Sequence, residues 1–193
     1  MLYGTNTNAL MGVQVGVADP LALTLDTMRT LVDQYQVQVI ELSLDELLLY
    51  PELRTPDAIT AMAQLQLELG VLFTVHLPFL WIDISSADEL IRAASVQRMR
   101  ESVALTNALN VHSYVVHATG MLGELAGPTI TSPETDLRVQ VARQSINRSF
   151  GELRARFPAT PFAVENLPGV PFEWQEDFVV RHEMGVCGDI GHE

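Results

Sequence analysis

Three of the five histidines and two carboxylates stand where short apolar runs end. His76 closes Val-Leu-Phe-Thr-Val-His, His117 closes Tyr-Val-Val-His, Glu165 closes Phe-Ala-Val-Glu, and Asp189 closes Val-Cys-Gly-Asp, with His192 just beyond. Imidazole nitrogen and carboxylate oxygen are the donors that divalent cations take from proteins. Taken singly, each residue has a plainer explanation, as a hydrogen-bonded structural histidine or as a carboxylate beside helix amides. Crowded into one mouth, unpaired carboxylates and imidazoles would repel or titrate away, whereas a divalent metal pairs them. The expected cofactor is therefore a divalent metal, with His76, His117, Glu165, Asp189 and His192 as ligands.

Such convergence needs elements that bring run ends together. Short apolar runs alternate here with longer segments of helical period, the pattern of βαβ units around a parallel sheet. The expected strands are Leu2–Thr5, Val37–Glu41, Val71–His76, Ser113–His117, Pro161–Glu165 and Gly185–Asp189. Their near-continuous apolar centres fit strands covered on both faces. Between them, Thr55-Pro56 reads as a helix cap followed by proline at the first helical position, Ile59, Met62, Leu65 and Leu69 form one face, and Gly70 is the stop. Ser132-Pro133-Glu134 is expected to open a later helix in the same way, with Ile146, Phe150, Leu153 and Phe157 as its stripe and Pro158 beyond its end. Leu25, Met28 and Val32 mark the first helix, and Val96, Met99 and Val103 the helix after the third strand.

Parallel strands joined by helices either open into a doubly wound sheet or curl into a barrel. No glycine-rich phosphate loop follows the first strand, which favours an α/β architecture of the (β/α)8 TIM-barrel kind. Active sites of that fold lie at the carboxyl ends of the strands. The sequence is read as a single domain over residues 1–193, truncated after the sixth strand, because such barrels need about 250 residues and eight strands. An unclosed barrel would leave apolar edges bare, so two further βα units, or a second chain, are expected to close it.

The chain has 11 Lys and Arg against 24 Asp and Glu, a formal net charge of −13 that repels a phosphodiester backbone. Nucleic acid is thereby disfavoured as a partner, and a small-molecule substrate, a sugar or phosphorylated compound, is expected. The densest basic stretch, Arg92, Arg98 and Arg100, reads as the solvated face of a helix. No apolar run of membrane-spanning length and no signal-peptide pattern occur, so a cytoplasmic location is expected, with the oligomeric state left open. The single cysteine, Cys187, sits among apolar neighbours and reads as a buried structural thiol.

Several residues near the expected mouth are candidates for lesser roles. Phe79 and Trp81 follow the third strand and could stack on substrate or pack a loop. The segment from Ala118 to Ser132, with Gly120, Gly123 and Gly127, reads as a loop over the mouth. His112, at the amino end of its strand, and His182, on a short helix before the sixth, are assigned no site role. Glu41, at the end of the second strand, reads either as a structural residue or as an orienting partner of a histidine.

The motifs VHLPF, VVHATG, VENLPG and GVCGDIGHE, in this order and at strand-like spacing, resemble the xylose isomerase-like barrels, the superfamily of sugar phosphate isomerases/epimerases and class II (family 2) AP endonucleases. The similarity spans about residues 37–193 and implies a catalytic divalent-metal site holding zinc, manganese, magnesium or cobalt. In the endonuclease branch the resemblance implies that His76, His117 and Glu165 share a metal, Asp189 serves a bridged metal and His192 another. In the isomerase branch it implies that Glu165 and Asp189 are two of four ligands of one metal, and that Glu165 is one of two glutamates that move a proton. Two departures stand out: His117-Ala-Thr-Gly120 lacks the proline common in endonucleases, and the strand-seven histidine and strand-eight glutamate are absent. The 193 residues alone are accordingly expected to have little activity.

Two enzyme classes fit. In the first, a sugar or sugar-phosphate isomerase or epimerase, metal polarises a carbonyl while a glutamate removes the adjacent carbon-bound proton. In the second, a metal-dependent phosphodiesterase, ions activate water, and the joint presence of His76 and His117 suits it. Within the second, ENLPGVPFEW also resembles relatives that remodel cobamides. A barrel that binds a ligand without turnover is the non-catalytic alternative.

Overall fold

The computed structural model describes residues 4–6, 19–118, 120, 123 and 135–190. The elements are β1 (Gly4–Asn6), α1 (Pro20–Tyr35), β2 (Val39–Ser43), α2 (Leu44–Leu49), a 3-10 turn (Pro51–Arg54), α3 (Pro56–Leu69), β3 (Leu72–His76), α4 (Glu89–Leu105), a 3-10 turn (Thr106–Ala108), β4 (Val111–Val116), α5 (Leu137–Arg156), β5 (Phe162–Glu165), α6 (Glu173–Arg181) and β6 (Gly185–Cys187). The six strands form one sheet in chain order, and the registers of β1 with β2, β2 with β3 and β5 with β6 are parallel. A parallel sheet whose successive strands are joined by helices is the α/β architecture expected of the sequence. The chain divides into two compact units, residues 1–76 with 102–114 and residues 77–101 with 115–193.

In the first unit β1 to β3 are held in a two-step register in which Val39 opposes both Gly4 and Leu72, and Ser43 opposes His76. The alternate residues Ile40, Leu42, Phe73 and Val75 are buried. Met28 and Leu31 of α1, with Ile59, Met62 and Leu65 of α3, are buried too, as their helical spacing requires. The Thr55 side chain accepts from the Ala58 amide at 3.2 Å, and Gly70 closes α3 at φ 66°. One element escaped the sequence pattern. α2 starts directly where β2 stops, at Ser43-Leu44, and β2 runs two residues past Glu41 because Leu42 and Ser43 still find partners on β3. Glu41 is therefore mid-strand, where the Thr74 hydroxyl opposite it donates to its carboxylate at 3.5 Å.

In the second unit Val96 and Met99 of α4, Ile146, Phe150 and Leu153 of α5, Val164 of β5 and Phe178 of α6 are buried. α5 opens at Leu137, not at Ser132-Pro133-Glu134, which lies outside the described residues. Asp136 is the cap: its carboxylate accepts from the Arg138 amide at 2.9 Å, and the Arg138 guanidinium holds its pKa down to about 2.

The reading of Arg92 as a solvated cation is overturned, since its side chain is 3% exposed. Its guanidinium donates to both carboxylate oxygens of Glu89, to Glu152 at 2.6 Å and to the Ser149 hydroxyl at 3.1 Å. Burial is tolerated because these donors are met, the pairing that a buried cation needs. Cys187 departs as well. It is half-buried, not buried, because it ends β6 at the far end of the strand order, where Val186 is 54% exposed.

His182 caps the end of α6, and its ring makes a 3.1 Å hydrogen bond with Asn147 Oδ1. Because amide oxygen only accepts, the ring nitrogen donates. Burial, then the cations Arg181 and Arg154, lower its pKa from the usual 6.5. The unfolded chain thus takes up the proton first. The stability conferred by neutral His182 is present above pH 6.5 and is lost as pH falls through the lowered value. Urea titrations should show stability declining from about pH 7 to pH 5, with a shallower decline in His182→Asn. An unchanged slope in the variant would contradict this assignment.

No helix among the described residues is long and apolar enough to cross a membrane.

Candidate functional site

His117 directly follows β4, and Glu165 is the last residue of β5. His117 Nε2 lies 2.8 Å from Glu165 Oε2, with the two side chains only 7% and 6% exposed. A carboxylate this deeply buried is costly unless paired, and its oxygens can only accept, so the imidazole nitrogen is the donor when no cation intervenes. The Phe79 ring lies 4.1 Å from the His117 ring at 42°, which restricts the imidazole from its other side. Phe79 itself is half-buried, whereas Trp81 is 68% exposed.

His76 is the last residue of β3 and is 6% exposed. The next residue, Leu77, donates its amide to the Val115 carbonyl at 2.9 Å. In the loop beyond, Asp83 Oδ1 accepts from the Ser85 amide at 2.9 Å and the Ser85 hydroxyl at 2.6 Å, while the Asp83 amide donates to the Ser95 hydroxyl at 2.9 Å. Gly120, three residues past His117, presses on this loop at φ +91°. A Cβ there would fall 1.9 Å from Asp83 Oδ1. That close approach is a physical reason for glycine in His117-Ala-Thr-Gly120.

Asp189 lies two residues beyond β6, which ends at Cys187 and not at Asp189 as the sequence suggested. β5 ends at Glu165, and the side chain of Asn166 beyond it holds the backbone of Asp189: its Nδ2 donates to the Asp189 carbonyl at 3.0 Å, and its Oδ1 accepts from the Asp189 amide at 2.6 Å. Asn166 was quoted within VENLPG but given no role by sequence reasoning. Its only signal was its place directly after Glu165. His192 and most of the Ala118–Ser132 segment, including Gly127, lie outside the described residues. His112 is exposed on β4, which begins at Val111 and not at Ser113.

No protein-family model and no curated protein sequence matches the chain. Solved structures do. A D-tagatose 3-epimerase-like protein aligns over 100% of this chain and 66% of its own, with a TM-score of 0.69 and 19% identity. The 3-keto-D-glucoside 4-epimerase YcjR from E. coli aligns over 100% of this chain and 69% of its own, with a TM-score of 0.68 and 17% identity. The fold shared with these structures is that of a TIM barrel. Endonuclease IV from Thermus thermophilus shares it at a TM-score of 0.57 and 19% identity, over 100% of this chain and 64% of its own. The chain spans about two thirds of the length of these solved structures. In a TIM barrel the carboxyl ends of the strands carry the chemistry. His76, His117, Glu165 and Asp189 all stand at or just past such ends.

Proposed function

We propose that the chain forms part of a divalent-metal-dependent sugar or sugar-phosphate isomerase or epimerase. The observation that carries this reading is the buried contact between His117 and Glu165, which places a carboxylate and an imidazole together at strand ends. The names of the two epimerases that share the fold support a sugar as the substrate class. His117 and Glu165 are buried together and offer an imidazole and a carboxylate, donors that suit zinc, manganese or cobalt. His76, Asp189 and His192 would add to that set.

A divalent ion held there would supply Lewis-acid polarisation of a carbonyl and its neighbouring hydroxyl. Glu165 is then the group that takes the adjacent carbon-bound proton and returns it, while His117 and Phe79 fix the direction of its carboxylate. Phe79 and exposed Trp81 would contact the sugar, whose apolar face suits an aromatic ring.

A second reading, a phosphodiesterase acting on a nucleotide-like small molecule, is favoured by one feature. Both His76 and His117 are buried at strand ends, and a one-metal isomerase does not need the pair. The net charge of −13 disfavours DNA as its substrate.

Metal content of the purified protein, beside the His76→Ala, His117→Ala double variant, separates these readings. At least one bound equivalent is the expected result. One equivalent that survives the double substitution supports the isomerase, with Glu165 and Asp189 retained as ligands. Two or more that fall on substitution support the phosphodiesterase. No bound metal in either protein would sink both.

A further inference from the structure

We infer that Asn166 is a positioning residue for the metal ligand Asp189, an inference that rests on the metal-site reading above. Asn166 immediately follows Glu165, and its backbone amide donates to the Cys187 carbonyl at 3.2 Å, one of the hydrogen bonds that make the parallel Glu165–Cys187 pair. β5 and β6 end at this pair. The Asn166 side-chain amide then makes a donor and an acceptor bond to the backbone of Asp189, at 3.0 and 2.6 Å. A side chain thus acts as the next rung of a strand that is no longer present. A primary amide is the group for this task, since hydroxyls and carboxylates cannot hold a backbone N–H and C=O together in this planar arrangement.

The consequence for the site is directional. Gly188 and Asp189 follow the end of a three-residue strand, beyond the last register pair of β5 and β6. The clamp ties the backbone of Asp189 to the residue directly after Glu165. One side chain therefore links two proposed ligands 24 residues apart in sequence. Precise ligand placement is what distinguishes a tight metal site from a loose one.

A clamp of this kind could also serve strand pairing alone, and the molecule contains the control. Gln66 on α3 makes the same two-bond clamp on Asn110, with its Nε2 donating to the Asn110 carbonyl at 2.9 Å and its Oε1 accepting from the Asn110 amide at 3.1 Å. Gln66 belongs to the first unit and is no candidate ligand.

The test compares Asn166→Ala, Asn166→Gln and Gln66→Ala with the parent protein. Cobalt(II) affinity is measured by equilibrium dialysis, with the visible spectrum of the bound ion and the melting midpoint of the metal-free protein. Asn166→Ala should weaken cobalt binding by about 10- to 100-fold and alter the spectrum. Asn166→Gln, which keeps the amide on a longer stem, should recover part of the loss and covers the case in which the alanine variant does not fold. Gln66→Ala should lower the melting midpoint with affinity and spectrum unchanged. Affinity and spectrum in both Asn166 variants within twofold of the parent would overturn the positioning role alone. A parent protein that binds no cobalt would overturn the metal reading and this inference with it.

Discussion

Under the proposed isomerase reading, Glu165→Gln should lower turnover of a sugar substrate by roughly 100- to 10,000-fold, the range that a general base contributes. Glutamine keeps the volume of the side chain but can neither take a proton nor offer a charged oxygen to a cation. The same substitution replaces an acceptor facing His117 Nε2 at 2.8 Å with an amide that can present its oxygen or its nitrogen there. Because the carboxylate is buried, its removal relieves a desolvation cost, and the metal-free protein should melt no lower than the parent. Loss of activity without loss of stability is the signature of a functional group. A variant retaining a third or more of parental turnover would exclude Glu165 from the proton transfer.

Gly120→Ala should destabilise the protein by about 3 kcal/mol, on two separate grounds. At φ +91° an alanine is strained whatever surrounds it, and here the added Cβ would lie 1.9 Å from Asp83 Oδ1 and 2.7 Å from the Ser85 hydroxyl. Asp83 cannot simply swing away, since Oδ1 holds both the amide and the hydroxyl of Ser85. Gly70→Ala isolates the first ground, because Gly70 at φ +66° has nothing within 4 Å of a built Cβ. Strain alone there should cost about 1–2 kcal/mol. Chemical denaturation of the pair reads the difference, and equal losses would mean that the Asp83 loop yields freely. Since Gly120 follows His117 by three residues, a displaced Gly120 should also reduce metal content.

The strands that lead to His76, His117 and Glu165 were legible because each closes on buried apolar residues followed by a single polar one. Burial makes such a strand visible without knowledge of its neighbours. The caps of α3 were legible for a related reason, as Thr55-Pro56 and Gly70 act within one turn of themselves. What escaped depends on partners distant in sequence. The end of β6 is set by where β5 stops and by a side chain 23 residues away. The burial of Arg92 depends on Ser149 and Glu152, 57 and 60 residues further along. The opening of α5 was misplaced for a local reason, since Ser132-Pro133-Glu134 and Asp136 both carry cap chemistry in the sequence and it is Asp136 that caps the helix. The fold as a whole survived these errors because parallel connectivity follows from the alternation of elements and not from their exact ends.

The guanidinium of Arg92 makes four directed hydrogen bonds, two to Glu89 and one each to Ser149 and Glu152, through three different nitrogens. A planar fork can satisfy them all at once, whereas a lysine ammonium, although equally charged, is a point donor on a flexible stem. Sequence drift that treats the two cations as equivalent would therefore be tolerated on most of this surface and penalised at this position. Here charge is the interchangeable property, and geometry is what the chain has to inherit.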